Sequence, residues 1–490
     1  MNTFMNELVK QSNYTLTENG ALTHKTTFNS VLDLFAMGAA FRNRTDEDCI
    51  LLFKNAYEQD PELALKCLFY IRDIRGGQGE RRFFRVCLKW LANYAPSAVI
   101  FNLSMIPEYG RWDDFYCLIE TKAEEHMWKF VKEQFILDLN STTPSLLGKW
   151  LKSENASSAE TRKLGKKTRK MFELTPRAYR QFLSQLRSRI NIVEKLMSEN
   201  RWNEIEFDKI PSKAGLKYKN AFARRDIIRE KYIKFIQSED TKVNTETLYP
   251  YEIVSDALYN RRGDPIGRDV INKYWNNLTD YFNGQSLNGI CVIDTSGSMT
   301  GRPISVAISL GLYCAERNSG PFKDYFISFA SRPQLIKTEG VDFVDKVCRI
   351  WEKSLIDNTN IEAVFDLILN VAIGKNCAKE DIPKNVIIIS DMEFDQARTN
   401  RWGVSQEVLF ETINRKWEEA GIQMPHLIFW NVDARQNNIP LIDNSKPISY
   451  VSGFSPTIFS TIMSGKSGVE LMLEKLNSER YSAIKSPKSI

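Results

Sequence analysis

Histidine is scarce in this chain of 490 residues, with three copies, His24, His126 and His426, none of them clustered with a cysteine. Eight cysteines occur without a CxxC pair, which argues against a zinc site or a redox dithiol. They lie in otherwise apolar segments and read as buried thiols of a reducing compartment rather than as a disulfide framework. No run of about 18 uncharged apolar residues is present, so no membrane span is expected. Met1 to Glu7 lacks a basic start followed by an apolar stretch, and the reading is a cytoplasmic protein. Low-complexity tracts are missing too, and 43% hydrophobic with 26% charged residues excludes a disordered or fibrous class.

What is present is uneven. Residues 150 to 234 hold 22 Lys or Arg against 10 Asp or Glu, an excess of 12, so the rest of the chain carries −7 of the net +5. Such asymmetry points to an anionic partner near mid-chain. The densest run is Arg162-Lys163-Leu164-Gly165-Lys166-Lys167-Thr168-Arg169-Lys170, followed by Arg180, Arg187, Lys217, Arg224 and Arg225. On a helix, Arg162, Lys166, Arg169 and Lys170 share a face. Phosphates meeting it would release counterions, with Tyr179, Tyr218 and Phe222 as candidate stacking rings. The plainer reading is a solvated basic face over core aromatics.

From about residue 28 to 236 the apolar residues recur at helical spacing. Expected helices run over 28–41, 61–71, 80–92, 112–120, 124–137, 144–150, 161–173, 176–188, 193–198 and 219–237. Their length and order suggest paired helices stacked as a HEAT-like solenoid or ring, with a compact irregular helical domain as the alternative. Near residue 287 the pattern changes to alternating strands (287–293, 324–329, 385–390, 426–432, 449–451) and helices (303–317, 341–351, 361–372, 405–420, 468–477). That alternation implies a mostly parallel sheet with helices on both faces. The expected division is an all-helical domain over 1–285 and an α/β domain over 286–490.

Two short glycine-bearing segments invite attention. Arg75-Gly76-Gly77-Gln78-Gly79-Glu80-Arg81-Arg82 is neither a P-loop nor a dinucleotide fingerprint, because no strand precedes it. It reads first as an interhelical turn with Arg75 or Arg82 paired to acids, and secondarily as a phosphate clamp. Tyr109-Gly110-Arg111-Trp112-Asp113-Asp114 reads as a helix start with Trp112 buried. Arg262-Gly263-Asp264 is a chance turn.

The most specific pattern is Asp294-Thr295-Ser296-Gly297-Ser298 directly after the first strand, Asp357-Asn358-Thr359-Asn360 in a later loop, and Ile387-Ile388-Ile389-Ser390-Asp391 after another strand. A hard divalent cation wants about six oxygens, and loops beyond the carboxyl ends of parallel strands can converge on one. In order and spacing the pattern resembles the metal-ion-dependent adhesion site of von Willebrand A and integrin I domains. The resemblance implies Mg²⁺ or another divalent cation held by Asp294, Ser296, Ser298, Thr359 and Asp391. In that family the metal's open position is completed by a partner's carboxylate and no chemistry follows. One departure is Asp357-Asn358, where related domains often carry two glycines.

With Ile71 to Arg81, Tyr109 to Asp114, Pro211-Ser212-Lys213-Ala214 and Ser390 to Asp395, the whole chain is similar in layout to the TROVE-containing Ro ribonucleoproteins. It is closer still to an uncharacterised family with cellular and viral members. The resemblance implies a non-catalytic RNA-binding toroid of HEAT-like repeats closed by the metal domain. The rival reading is a docking scaffold whose metal captures an acidic residue of a protein partner. A metal-dependent nuclease is a third, for which Asp395 would be the candidate base.

Overall fold

The computed structural model describes residues 3–190, 192–259, 265–329, 332–353, 359–396, 408–442, 448–466 and 468–487. The segment Arg262-Gly263-Asp264 and the pair Asp357-Asn358 lie outside the described residues, as do the first residues of the helix expected from Ser405.

The first half is helical, and its helices begin where short polar side chains cap them. Asn29 accepts from Val31 and Leu32 N to open Ser30–Met37, Thr45 caps Asp46–Gln59, and Asp60 with Pro61 opens Pro61–Arg72. Ser158 and Thr175 do the same for Ala159–Met171 and Pro176–Arg189. Each such cap satisfies an otherwise orphaned amide and contributes about 1 kcal/mol. Arg82–Tyr94 then buries Phe83, Phe84, Cys87, Leu88 and Leu91 on one face, the stripe its spacing predicts.

Several expectations are corrected. The helix expected over 28–41 is Ser30–Met37 continued by a 3₁₀ segment, Gly38–Asn43. The helix expected over 219–237 is two, Ser212–Arg224 and Asp226–Gln237, because Arg225 is extended at φ −88°, ψ 105°. Asp46–Gln59, Pro250–Tyr259 and Pro265–Asn276 are further helices, and Trp112 is half-buried rather than buried.

The second half is built on a six-stranded sheet: β3 (Gly289–Asp294), β4 (Tyr325–Phe329), β5 (Gln334–Lys337), β6 (Asn385–Ser390), β7 (His426–Asn431) and β8 (Ile448–Ser452), in the order β5-β4-β3-β6-β7-β8. All pairings are parallel except β4 with β5. β3, β7 and β8 are buried along their whole length and β6 nearly so, which is why they read as continuous apolar runs. The chain leaves β3 toward β4 on one side and returns to β6 on the other. A crevice therefore opens beyond the carboxyl ends of β3 and β6, the place where such sheets bind ligands.

A two-stranded hairpin was not expected: β1 (Tyr14–Leu16) pairs with β2 (Leu22–His24), and it lies over the sheet's carboxyl edge. His24 exchanges backbone bonds with Ile439, and Gly20 bridges to Asp395. The two halves share one apolar core. Ser452 of β8 donates to Phe35 O at 2.8 Å, and Asp73, fully buried, takes Tyr481 Oη at 3.0 Å and the Arg480 guanidinium.

Candidate metal centre and basic face

Asp294 ends β3 and Asp391 follows β6, and the register Ile293↔Ile389 sets these loops side by side. Ser390 joins them: its hydroxyl donates to Asp294 Oδ2 at 2.6 Å and lies 3.5 Å from Asp391 Oδ1. Asp294 Oδ1 accepts Ser296 N at 2.9 Å. The Ser296 and Ser298 hydroxyls are 2.9 Å apart. Neighbouring ligands around an octahedral cation with bonds of about 2.1 Å are themselves about 3 Å apart, so this pair already has the spacing of one edge of that shell.

Electrostatics favour a cation at the same place. Asp294 is 0% and Asp391 1% exposed, and burial, reinforced by the charge of Asp391, pushes the Asp294 carboxyl up to about 7. Burial lifts Glu393 to about 7 as well, with Asp391 again adding to the rise. Two buried carboxylates sharing one serine are costly unless positive charge joins them. Part of it comes from Arg435, whose guanidinium binds Asp391 Oδ2 and, at 2.6 Å, Glu18 Oε2. Asp391 is aimed by an unusual turn, since the next residue, Met392, is left-handed at φ +65°. Such a conformation costs of order 1–3 kcal/mol and persists where packing over-determines it.

Thr359 is 2% exposed and reached by Asn19 Nδ2 at 3.3 Å; the same amide donates to Glu393 O at 2.6 Å. Thr359 thus borders the Asp391–Glu393 loop through the hairpin that links β1 to β2. That hairpin contributes more: Glu18 N donates to Glu393 Oε2 at 2.7 Å, and Asn438 donates to Glu393 Oε1 at 2.8 Å. Glu18, Asn19, Ser390, Arg435 and Asn438 were not singled out from the sequence; Ser390 alone stood inside a quoted motif. Among the described residues no group of three or more His, Cys, Asp or Glu is placed to hold an ion, so a cation here depends on serine hydroxyls as well as carboxylates. His24 pairs with Ile439, the residue after Asn438.

The basic face divides into cations already used and cations left over. Arg162 donates to Ala156 O and Ser157 O, and Arg187 to Gly148 O, Leu151 O and Ser153 Oγ. Lys167 pairs with Glu124 at 2.7 Å, Arg169 with Glu154 at 2.8 Å, and Arg225 binds Asn200 Oδ1 over the Trp202 ring. Lys163, Lys166, Lys170, Arg180, Lys217 and Arg224 are exposed, and no described acid lies within ion-pair distance of them. Tyr179 and Phe222 are corrected to core residues, each 0% exposed, with Tyr179 Oη donating to Lys152 O at 2.8 Å. The segment 75–82 is the interhelical turn expected, with Arg75 held by Glu246 at 3.0 Å and Arg82 by Asp46.

Fold and site together define a helical protein fused through a shared core to a mostly parallel α/β sheet with an acidic, hydroxyl-lined crevice. The chain belongs to the family described as Domain of unknown function (DUF2828), which matches residues 17–171 and 144–286. Residues 288–488 match a second family, Domain of unknown function (DUF7788), so the two matches meet where the helical half gives way to β3. A similar protein is the uncharacterized protein L728 of Acanthamoeba polyphaga mimivirus, 29% identical over 496 residues that cover 93% of this chain and 85% of L728. No helix among the described residues is long and apolar enough to cross a membrane.

Proposed function

We propose that this chain is a non-catalytic RNA-binding protein with the layout of the Ro ribonucleoproteins: a HEAT-like helical part that meets RNA, and a von Willebrand A-like part with a metal-ion-dependent adhesion site. The observation that carries the RNA reading is the set Lys163, Lys166, Lys170, Arg180, Lys217 and Arg224, exposed cations for which the described fold supplies no acid. Exposed cations with no ion-pair partner are free to meet a polyanion, and each phosphate contact they made would release counterions. Fluorescence anisotropy with labelled single-stranded and hairpin RNA over a salt series tests it. Saturable binding with a steep salt slope supports the proposal, and no binding at low salt ends it.

In the α/β part, Asp294, Ser296, Ser298 and Asp391, with Thr359 at the border, would hold Mg²⁺. The bound ion would neutralise the two buried acids and offer a position to an acidic group. A second reading, a metal-dependent docking scaffold without RNA, draws on Glu18, an acidic side chain already tied through Arg435 to Asp391. Asp294→Ala separates the two, because it removes partner capture under the docking reading and leaves RNA affinity intact under ours.

A further inference from the structure

Three segments far apart in the chain, 71–81, 109–114 and 211–214, line a single cavity of about 510 Å³ in the helical half. None of the metal-centre residues belongs to it. Its wall carries Arg72, Arg75, Arg81, Arg111, Lys149, Lys213 and Lys217 against one acid, Glu194. Asp114 takes Arg72 at 2.8 Å, Asp113 takes Arg111 at 2.8 Å, Glu246 takes Arg75 at 3.0 Å and Glu252 takes Lys213 at 2.9 Å. Asp113 and Asp114 also serve Arg85. Arg81, Lys149 and Lys217 then make no ion pair with a described acid. Crowding shows at Arg81, whose basicity is lowered by burial and by the charges of Arg111, Arg72 and Arg85, with Asp114 opposing them.

The cavity is also built. Gly110 admits the buried Arg72–Asp114 pair, since a Cβ there would lie 2.4 Å from Asp114 Oδ2 and 2.9 Å from Arg72 Nε. Gly79, left-handed at φ +64°, lets the Tyr249 ring close in: a Cβ would sit 2.0 Å from Tyr249 Oη. Arg111 is stacked on Trp150 at 3.9 Å, and Trp112 and Tyr249 add further aromatic lining. The N-terminal turn of Ser212–Arg224, with Pro211, Lys213 and Ala214, borders the space and adds the positive end of its dipole. Surplus guanidinium and ammonium groups select a phosphate, planar rings select a planar base, and the volume is within the range of about 300–1,000 Å³ typical of small-molecule sites.

We propose that this cavity binds a nucleoside phosphate, with the phosphate met by Arg81, Lys149 and Lys217 and the base by the aromatic wall. The site is separate from the basic helix Ala159–Met171 but shares Lys217 with the cations of the RNA reading; the free-nucleotide source does not depend on that reading, whereas the strand-end source rests on it. The same chemistry has two sources: a free nucleotide, or the phosphorylated end of a strand. The second would continue into an adjoining groove of about 580 Å³ that carries Arg180 and Arg187 and shares Lys149, Ile192 and Glu194 with the cavity.

Isothermal titration of the full chain with AMP, ATP, inorganic phosphate, and a short oligonucleotide with and without a 5′-phosphate tests the proposal. Saturable binding of a nucleotide or of the 5′-phosphorylated oligonucleotide is expected, weakened at least tenfold by Arg81→Ala and by Lys217→Ala and unchanged by Lys375→Ala. Tighter binding of AMP or ATP than of the oligonucleotide assigns the free nucleotide; tighter binding of the phosphorylated than of the hydroxyl oligonucleotide assigns the strand end. Arg81 and Lys217 are exposed, and a melting curve of each variant checks that it folds. Binding that survives both substitutions, inorganic phosphate as tight as any nucleotide, or no binding at all would overturn it.

Discussion

Removing Arg435 should make the protein more dependent on a divalent cation. In the metal-free chain this guanidinium is the positive partner of Asp391, which is 1% exposed against 30% for Arg435. Deleting one partner of a fully buried pair costs about 3–5 kcal/mol. Arg435 is partly solvated, which screens the pair, and Asp391 keeps a bond from Glu393 N at 3.1 Å. About 2 kcal/mol is therefore the better figure for Arg435→Ala without metal. The Arg435 carbonyl, which accepts Arg44 Nη1 at 2.8 Å, survives the substitution, so the loop keeps its anchor. A bound cation supplies the missing charge, so Mg²⁺ should recover most of the loss and stabilise Arg435→Ala more than the parent by a similar amount. Thermal melts of parent, Arg435→Ala and Asp294→Ala, each with EDTA and with a Mg²⁺ series, measure this. Equal Mg²⁺ shifts in parent and Arg435→Ala, or an undiminished shift in Asp294→Ala, would refute the reasoning.

Three further outcomes are expected. Charge reversal of Lys163, Lys166 and Lys170 together should weaken RNA binding at every sequence tested and lower the salt slope by roughly 2, about 0.7 for each lost phosphate contact on a single strand; reversal at the acid-paired Lys167 should do less. Asp114→Ala, which strips a 0% exposed carboxylate from Arg72 and Arg85, should cost about 3–5 kcal/mol in chemical denaturation, and a cost under 1 kcal/mol would contradict the buried pairing. Burial depresses both His24 and His426 to about 4, so the unfolded chain binds protons that the folded one refuses between pH 6.5 and 4; stability is full above 6.5 and falls on acidification through that window by up to about 3 kcal/mol for each ring. A His24→Asn, His426→Asn double variant should show a smaller difference in denaturation midpoint between pH 7.5 and 5 than the parent, and an equal difference would remove these rings as the cause.

The parallel strands were legible because burial on both faces turns them into short apolar runs, as in Ile290 to Ile293 and Val386 to Ile389. β5 escaped because it is an edge strand with only Ile336 buried, and β1 and β2 because three residues carry too little pattern. The break at Arg225 has no glycine or proline to announce it; the chain turns there and Asp226 opens the next helix. At the candidate centre, Asp294, Ser296, Ser298 and Asp391 were legible from their places after strands. Glu18 and Asn19 were not, since their contacts with the site span up to 375 residues and arise only when the hairpin folds over the sheet edge, and Arg435 was not, since it reaches Asp391 from a loop 44 residues away. The segments 71–81, 109–114 and 211–214 each read alone as a turn or a helix start, and their shared cavity exists only once the helices have packed.

The most direct measurement is a crystal of the chain soaked with Mn²⁺, a Mg²⁺ surrogate with usable anomalous scattering. A single strong peak bounded by Asp294, Ser296, Ser298 and Asp391, lost in Asp294→Ala crystals, is the result expected. Well-ordered density with no peak there at millimolar Mn²⁺, and Arg435 still bound to Asp391, would contradict a metal centre at the carboxyl ends of β3 and β6.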